Sequence, residues 1–202
     1  MRKKFIEVAS RSLIENSNFA LVLGDISVFG FNEVLKNYPQ RAFNLGVLEQ
    51  SMIGVSAGLA LEGFIPTIHT IAPFLVERPL EQIKVDFGYH RLPGNLVSVG
   101  ASFDYSTLGA THHCPGDISI LSSIPNISFF VPGNSEEIEY QFQSNWNSGK
   151  LNYYRLSEFK NSLTFSLKPN EFTIIKPGKL ASVITIGPLL DYVIDALKDL
   201  DV

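Results

Sequence analysis

The sequence predicts an α/β fold with a mostly parallel sheet sandwiched by helices. Short apolar runs alternate along the chain with segments of helical periodicity, which is typical of such a sheet. The 202 residues are enough for one complete domain and part of another. Hydrophobic residues make up 45% and charged residues 18% of the chain, the composition of a packed globular protein. We therefore expect one α/β domain followed by the start of a second α/β domain.

The predicted elements of the first domain follow one another in a regular order. Gly24 and Asp25 end the first strand. Pro115 suits the first turn of a helix. Asn134, with Glu137 three residues later, has the pattern of an N-cap with a capping box and predicts another helix. The predicted strands lie at 19–23, 41–44, 65–70, 95–100, 127–131 and 152–156, and helices are predicted at 3–16, 47–63, 74–90 and 115–123.

The last part of the chain differs in composition. Residues 157–179 are polar, contain proline and show no periodicity, so we expect a linker. A predicted strand at 181–186 and an amphipathic helix at 188–200 follow, and these two elements cannot bury a core of their own. The predicted division is a first domain at 1–160, a linker at 161–179 and, at 180–202, the first strand and helix of a truncated second domain.

Composition and charge argue against several classes of protein. The net charge of −4, the isoelectric point of about 5.6 and the lack of Lys/Arg blocks argue against a nucleic-acid surface. Cys114 is the only cysteine, and its neighbours His112 and His113 lack useful chelate spacing, so no metal site is predicted. The basic start at 1–4 leads into an amphipathic segment, and no run approaches membrane-spanning length. The predicted location is the cytoplasm.

The most informative segment is 43–60, which reads FNLGVLEQSMIGVSAGLA. One carboxylate, Glu49, stands at the start of a predicted helix whose other residues are nearly all apolar or small. An acid is costly in such surroundings unless a partner shares its proton. A solvated glutamate stabilised by the helix dipole is the simpler interpretation of such a residue. The motifs around the segment decide between the two.

Further motifs accompany this segment, in a fixed order along the chain from about residue 5 to residue 156. They are RAFNLG at 41–46, GLALEG at 58–63, TIAPF at 70–74, EQI at 81–83, GATH at 109–112 and IPN at 124–126. With these motifs the chain resembles the pyrimidine-binding domain of the transketolase family, and in particular the C-terminal subunit of a split transketolase. The resemblance implies a thiamine-diphosphate-binding fold.

The resemblance also implies roles for single residues. Glu49 matches the glutamate that hydrogen-bonds the aminopyrimidine of thiamine diphosphate and favours its imino tautomer, which removes the thiazolium proton. Phe74 matches the aromatic residue that stacks on that ring. His112 matches the histidine that faces the substrate sugar, a catalytic position. The remaining implied positions are Ile71 and Asp25 at the cofactor and Arg155 near the substrate.

Simpler explanations stay open for two of these residues. Asp25 directly follows a predicted strand, where aspartate is also a common turn residue. Phe74 has the position of an ordinary core residue at the start of a helix. The motifs favour the stacking role for Phe74, whereas both interpretations of Asp25 stay open.

The substrate side of the sequence departs from the family pattern. Ser106-Thr107-Leu108-Gly109 replaces the acidic Gly-Glu-Asp-Gly that often precedes Thr-His in transketolases. Glu158 stands after Leu156-Ser157, where relatives place a phosphate-binding arginine, and a carboxylate there repels a sugar phosphate. A nucleotide-linked or unphosphorylated sugar is therefore an alternative to pentose phosphates. The sequence identifies neither the donor nor the acceptor.

The Gly-Asp-Gly motif with which this family holds Mg²⁺ and the diphosphate has no counterpart in the sequence. We therefore expect a partner diphosphate-binding subunit that supplies the Mg²⁺ site. The expected assembly is a homodimer or a heterotetramer, with Glu49 near the interface between subunits and close backbone approach at 54–60.

The function that the resemblance implies is transfer of a two-carbon ketol unit between sugars. The alternatives are a subunit similar to 1-deoxyxylulose-5-phosphate synthase or to a 2-oxoacid dehydrogenase, and a non-catalytic partner for assembly or regulation. A 2-oxoacid dehydrogenase subunit would have a different substrate loop, without Thr111-His112 at this spacing.

Overall fold

The computed structural model describes residues 1–162 and 171–202. Its centre is one six-stranded sheet, with all neighbouring strands parallel. The strands are β1 (Phe19–Leu23), β2 (Ala42–Asn44), β3 (Ile65–Ile71), β4 (Gly94–Val99), β5 (Ile127–Phe130) and β6 (Leu151–Arg155). Their order in the sheet is β2-β1-β3-β4-β6-β5. The predicted fold class, a parallel sheet flanked by helices, is confirmed.

Helices cover both faces of the sheet. The α-helices are α1 (Arg2–Glu15), α2 (Asn32–Asn37), α3 (Glu49–Leu61), α4 (Ala72–Val76), α5 (Leu80–Gln82), α6 (Asp117–Leu121), α7 (Ser135–Asn145) and α8 (Leu190–Ala196). A π-helix at Ile83–Tyr89 and 3₁₀ turns at Ser106–Leu108, Ala110–His112 and Gly187–Leu189 complete them. In the described part of the chain, none of the helices has the length and apolar character needed to cross a membrane.

The hydrophobic core forms two layers, one on each face of the sheet. Successive side chains of a strand point to opposite faces, so Leu21 packs with the α1 and α7 side while Val22 packs with the α3 side. All five residues of β1 are buried, as expected for a central strand of a parallel sheet. These layers fix the positions of the strand ends, where the polar residues of interest lie.

The N-cap predicted at Asn134 is present. Its side-chain oxygen accepts hydrogen bonds from the backbone N–H groups of Glu136 and Glu137, at 3.0 and 2.9 Å. The Glu137 carboxylate reaches back to the backbone N–H of Gly133 at 2.8 Å. Two N–H groups at the start of α7 and one just before it are therefore satisfied by side chains, in the manner of a capping box.

The single helix predicted at 74–90 is interrupted. Residues 77–79 form a turn between α4 and α5, and the helix then widens into the π-helix. Pro79 explains the interruption, since proline donates no backbone hydrogen bond and disfavours helical geometry at the residue before it. The turn moves Arg78 out of the helix and toward the start of α3.

The strand predicted at 181–186 is not formed. These residues have no ladder partner among the described residues, and Val183, Ile184 and Ile186 are exposed. A strand needs a neighbouring strand to satisfy its backbone groups, so the apolar run alone does not produce one. The helix predicted at 188–200 is present in part as α8. The linker prediction, 161–179, falls partly outside the described residues, and the domain division remains a prediction.

Candidate functional site

The candidate residues lie at the carboxyl edge of the sheet. Because the strands are parallel, the segments that follow β1, β3 and β4 leave the sheet at the same edge. β1 has β2 on one side and β3 on the other, so the direction of the strand order reverses here. Open parallel sheets bind their ligands in the crevice at such a switch point.

Glu49 is the first residue of α3, and its side chain is only 5% exposed. Its Oε1 accepts a hydrogen bond from Nη1 of Arg78 at 3.0 Å. The apolar surroundings expected from the sequence are found only in part, since Met52 is buried but Val47 and Leu48 are exposed. The carboxylate is thus held in a nearly buried position by an ion pair as well as by packing.

Arg78 also contacts Phe74, in the first turn of α4. Its Cζ atom lies 3.8 Å from the centroid of the half-buried phenyl ring. A planar guanidinium at this distance makes a cation–π contact with the face of the ring. Arg78 therefore connects Glu49 and Phe74, two residues 25 positions apart in the sequence.

His112 also contacts Phe74. The centroids of the two rings are 5.1 Å apart, in an edge-to-face arrangement. Thr111 Oγ1 lies 2.9 Å from His112 Nδ1, which holds the imidazole. His113 turns toward Phe103 instead, as expected of adjacent residues that do not share a face. We call Glu49, Arg78, Phe74 and His112 the edge cluster.

Asp25 and Ile71 lie at neighbouring strand ends. Asp25 has a left-handed backbone conformation, with φ of 57°, and its N–H donates to Asn44 Oδ1 at 3.0 Å. Asn44 returns a hydrogen bond to the Asp25 carboxylate at 3.3 Å. Ile71 ends β3 and packs partly buried against the core. Their predicted cofactor contacts remain predictions.

The buried His69 holds the loop that carries Asp25 through a hydrogen bond to Ser27. His69 Nδ1 donates to the carbonyl of Val97 at 2.8 Å, so its Nε2 accepts from the Ser27 hydroxyl at 2.9 Å. Arg2 in turn donates to the Ser27 oxygen. Burial of the ring lowers the pKa of His69 to about 4, although its hydrogen bond to Val97 opposes this effect.

Arg155 is held in a buried polar network. Its Nε donates to Asp117 at 2.7 Å, and its Nη2 donates to Ser102 at 2.6 Å. Tyr153 also donates to the same Asp117 oxygen, at 2.7 Å. These contacts join α6 to β6 and leave the guanidinium largely buried. The structure therefore gives Arg155 a structural contact, and its predicted role near the substrate remains a prediction.

An acidic group lies at the substrate side. The Tyr105 hydroxyl donates to Glu158 at 3.0 Å, and the Tyr105 ring lies 6.5 Å from that of His112. Asp104 accepts from the Ser157 hydroxyl and from the Glu158 N–H. Burial first, and then the Glu158 charge, raises the pKa of Tyr105 to about 12. The segment after β6 thus presents a carboxylate near this end of the site.

Sequence reasoning missed Arg78. One signal was available, because an arginine directly before a proline predicts a helix end rather than a helix interior. The sequence offered no indication that this turn would face Glu49, since that contact depends on the packing of α3 against the segment after β3.

The residues present fit the pyrimidine end of thiamine diphosphate. The face of Phe74 carries the planar guanidinium of Arg78, and Glu49 accepts an N–H from that same guanidinium. An aminopyrimidine is also planar and carries N–H groups. For the metal end, the structure offers nothing comparable: in residues 1–162 and 171–202, no cluster of three or more His, Cys, Asp or Glu could hold a metal ion.

A parallel sheet with helices on both faces and polar residues at its switch point defines a doubly wound α/β domain. Comparison with known proteins narrows this class. Residues 10–158 match the family described as "Transketolase, pyrimidine binding domain". The chain therefore belongs to the transketolase family through its pyrimidine-binding domain.

Individual relatives support the assignment. The chain is 40% identical, over 96% of its length, to an "Uncharacterized 33.6 kDa protein in fasciation locus" of Rhodococcoides fascians, and covers 62% of that protein. It is 30% identical, over 80% of its length, to one subunit of the apulose-4-phosphate transketolase of Actinobacillus succinogenes, and covers 53% of it. A solved "Split gene transketolase, inactive beta4 tetramer" superposes with a TM-score of 0.83 at 25% identity, over 98% of this chain and 66% of that one. The chain thus spans between 53% and 66% of the length of these three proteins.

Proposed function

We propose that this chain is the pyrimidine-binding subunit of a thiamine-diphosphate-dependent, transketolase-like enzyme that transfers a two-carbon ketol unit between sugars. The observation that carries the proposal is the edge cluster. The nearly buried acid Glu49 and the half-buried ring of Phe74 both contact the planar guanidinium of Arg78, at the switch point of the sheet.

Glu49, Phe74 and His112 of the edge cluster each have a different proposed role. Thiamine diphosphate, when bound, supplies the carbanion chemistry. Glu49 hydrogen-bonds the pyrimidine and holds the proton that favours the imino tautomer. Phe74 orients the ring by stacking. His112, with its Nδ1 side turned to Thr111, offers Nε2 to a sugar hydroxyl.

The sugar is proposed to carry no phosphate next to Glu158. The Tyr105 hydroxyl donates to the Glu158 carboxylate, and the backbone N–H of Glu158 donates to the Asp104 carboxylate. Two acids repel an anionic group and accept hydrogen bonds from hydroxyls. This favours a nucleotide-linked or unphosphorylated sugar, and it argues against a substrate like that of 1-deoxyxylulose-5-phosphate synthase.

A partner subunit is proposed to hold the diphosphate and Mg²⁺. The names of two similar proteins support this, since one is named as a single subunit of a transketolase and the other as an inactive tetramer of a split gene transketolase. The surface of this chain supports it as well. Val47 and Leu48, just before α3, and Val55, within it, are exposed, and a side chain at Gly58 would meet nothing within 4 Å. We propose a homodimer or heterotetramer in the cytoplasm.

The test is reconstitution with a candidate partner, a subunit that carries the Gly-Asp-Gly motif. We expect Mg²⁺-dependent binding of thiamine diphosphate and ketol transfer by the mixture, and neither by the chain alone. Calorimetry on each subunit and on the mixture measures the binding. Micromolar, Mg²⁺-dependent binding of thiamine diphosphate to this chain alone would refute the split arrangement.

A further inference from the structure

We propose that Arg78 acts as an internal ligand of the pyrimidine site, and that a bound pyrimidine must displace its guanidinium. The inference rests on the proposed function. It adds a conformational step, at a residue to which the sequence analysis gave no role.

The position of the guanidinium is the first argument. Its central carbon lies 3.8 Å from the centroid of the Phe74 ring, which is a stacking distance. Glu49 is within hydrogen-bond reach of a group on this face, as its bond to Arg78 shows, so an aminopyrimidine bonded to Glu49 is proposed to stack on the same face. The face of a single phenyl ring cannot carry two planar groups on the same side.

The hydrogen bond to Glu49 is the second argument. Arg78 Nη1 donates to Oε1 of Glu49 at 3.0 Å. The aminopyrimidine is proposed to bond the same carboxyl group. Arg78 therefore makes, with one planar cation, both contacts that the pyrimidine would make.

The chemistry of the two groups makes them exclusive. Arginine stays protonated in proteins and only donates hydrogen bonds, so while it is bonded to Glu49 it occupies an acceptor site of that carboxyl group. It cannot take part in the proton exchange that favours the imino tautomer. Productive binding of the pyrimidine thus requires that the guanidinium leave Glu49.

The surroundings of Arg78 allow such a movement. Its side chain is 44% exposed, whereas that of Glu49 is 5% exposed. Arg78 stands in the turn before Pro79 and not within a helix, so its side chain can swing outward without unwinding α4 or α5. Partly exposed ion pairs and cation–π contacts are weak, which makes displacement by a ligand feasible.

The apparent affinity of the site for the pyrimidine is the intrinsic affinity multiplied by the fraction of molecules in which Arg78 has moved away. This fraction is below one, so Arg78 lowers the apparent affinity. Removing the arginine side chain should therefore tighten pyrimidine binding. From the typical strength of one such contact pair, we expect roughly a tenfold effect.

The experiment is an NMR titration of the full chain with 4-amino-2-methylpyrimidine, which carries the ring without the diphosphate. In the wild type, the ring current of Phe74 should shift the Arg78 Nε–Hε signal upfield. Addition of the pyrimidine should return that signal toward its unstacked position as the Phe74 signals change. Arg78→Ala should bind the pyrimidine about tenfold more tightly. Lys84→Ala removes an exposed cation outside the edge cluster and should leave the affinity unchanged.

Each other outcome counts against a definite claim. An unshifted Arg78 signal in the wild type means that the stacking is absent, and the inference fails. Pyrimidine binding that leaves the Arg78 signal in place, or equal affinity of Arg78→Ala and wild type, overturns the displacement while the proposed function stands. If neither protein binds the pyrimidine at millimolar concentration, removing Arg78 does not open the site and the inference fails, whereas the proposed function, which assigns cofactor binding to the complex with the partner, stands.

Discussion

At the scale of single residues, the partner of Glu49 changes the expectation for this acid. Its sequence surroundings suggested a desolvated, unpaired carboxyl group, whose replacement by Gln would lower stability little or even raise it. The structure instead pairs it with Arg78 at 3.0 Å. Because Arg78 is about half exposed, the pair contributes little, typically below about 1 kcal/mol. Glutamine would therefore lose a weak ion pair and remove a modest desolvation cost, two effects that oppose each other.

The first prediction concerns this residue. Glu49→Gln in the reconstituted enzyme should lower ketol transfer by at least about 10²-fold, because Gln cannot exchange the proton that sets the tautomer. The free energy of unfolding should change by less than about 1 kcal/mol. Turnover and urea unfolding measure the two effects. Turnover near that of the wild type would show that Glu49 is only a helix-start glutamate.

The second prediction concerns the aromatic residue. Phe74→Ala should weaken cofactor binding, with a smaller effect on turnover at saturating cofactor, since the ring positions the pyrimidine and moves no proton. Phe103→Ala is a matched control, because Phe103 is an exposed ring that contacts His113 and not the edge cluster. Cofactor titrations of both variants measure the effect, and equal affinities of the two variants would exclude stacking on Phe74.

At the scale of elements, β3 carries a buried histidine that makes stability depend on pH. The pKa of His69 is about 4 in the folded protein, compared with 6.5 for an unperturbed histidine. The unfolded chain therefore binds the proton first as the pH falls. The stabilisation from the neutral ring is complete above pH 6.5 and is lost between pH 6.5 and about 4.

The third prediction follows. Protonation of His69 should lower the free energy of unfolding by about 3 kcal/mol between pH 6.5 and about 4. Urea unfolding at several pH values measures the slope, and the ring signals of His69 in NMR should not titrate above pH 5. Replacement of the exposed His90 by Gln should leave the slope unchanged. A His69 ring that titrates near pH 6.5 would contradict the prediction.

The fourth prediction concerns the connection of α6 to β6. Asp117 is fully buried and accepts from both Arg155 and Tyr153 at 2.7 Å. Asp117→Ala leaves the Arg155 charge without its partner in a nearly buried place and should cost about 3–5 kcal/mol. Asp117→Ala combined with Arg155→Met should recover part of this loss. Urea unfolding of both variants tests the pair, and equal stability of the two would show that the unpaired charge is not the cause.

At the scale of the whole molecule, the exposed apolar residues at the start of α3 mark the proposed interface. Val47, Leu48 and Val55 are exposed in the same segment of the chain as the nearly buried Glu49. In contrast to α1, α3 is apolar or small on most of its surface, which is typical of a helix covered on more than one side. This agrees with the expected interface near 54–60, which remains a prediction.

The fifth prediction tests that interface. Leu48→Asp should weaken association with the partner or with a second copy at least tenfold, because it places a charge in an apolar contact. The monomer should remain folded, since Leu48 is exposed. Ile14→Asp, at an exposed position on the opposite side of the sheet, is the control. Analytical ultracentrifugation compares the variants, and unchanged association of Leu48→Asp would move the interface elsewhere.

The sequence by itself determined the fold class, the six strands and the cap at Asn134. These follow from local patterns, since buried parallel strands need apolar runs and a helix start needs a side-chain acceptor. The family motifs also pointed to Glu49, Phe74 and His112 before their contacts were known. In the structure Arg78 connects Glu49 with Phe74, and His112 contacts Phe74.

Only the tertiary structure decided three further features. It placed Arg78 against Glu49, it held Arg155 on Asp117, and it left 181–186 without a ladder partner among the described residues. Each depends on groups far apart in the chain: an ion pair needs two elements packed together, and a strand needs a neighbour. Local sequence specifies which side chains are available, whereas long-range packing specifies which of them meet.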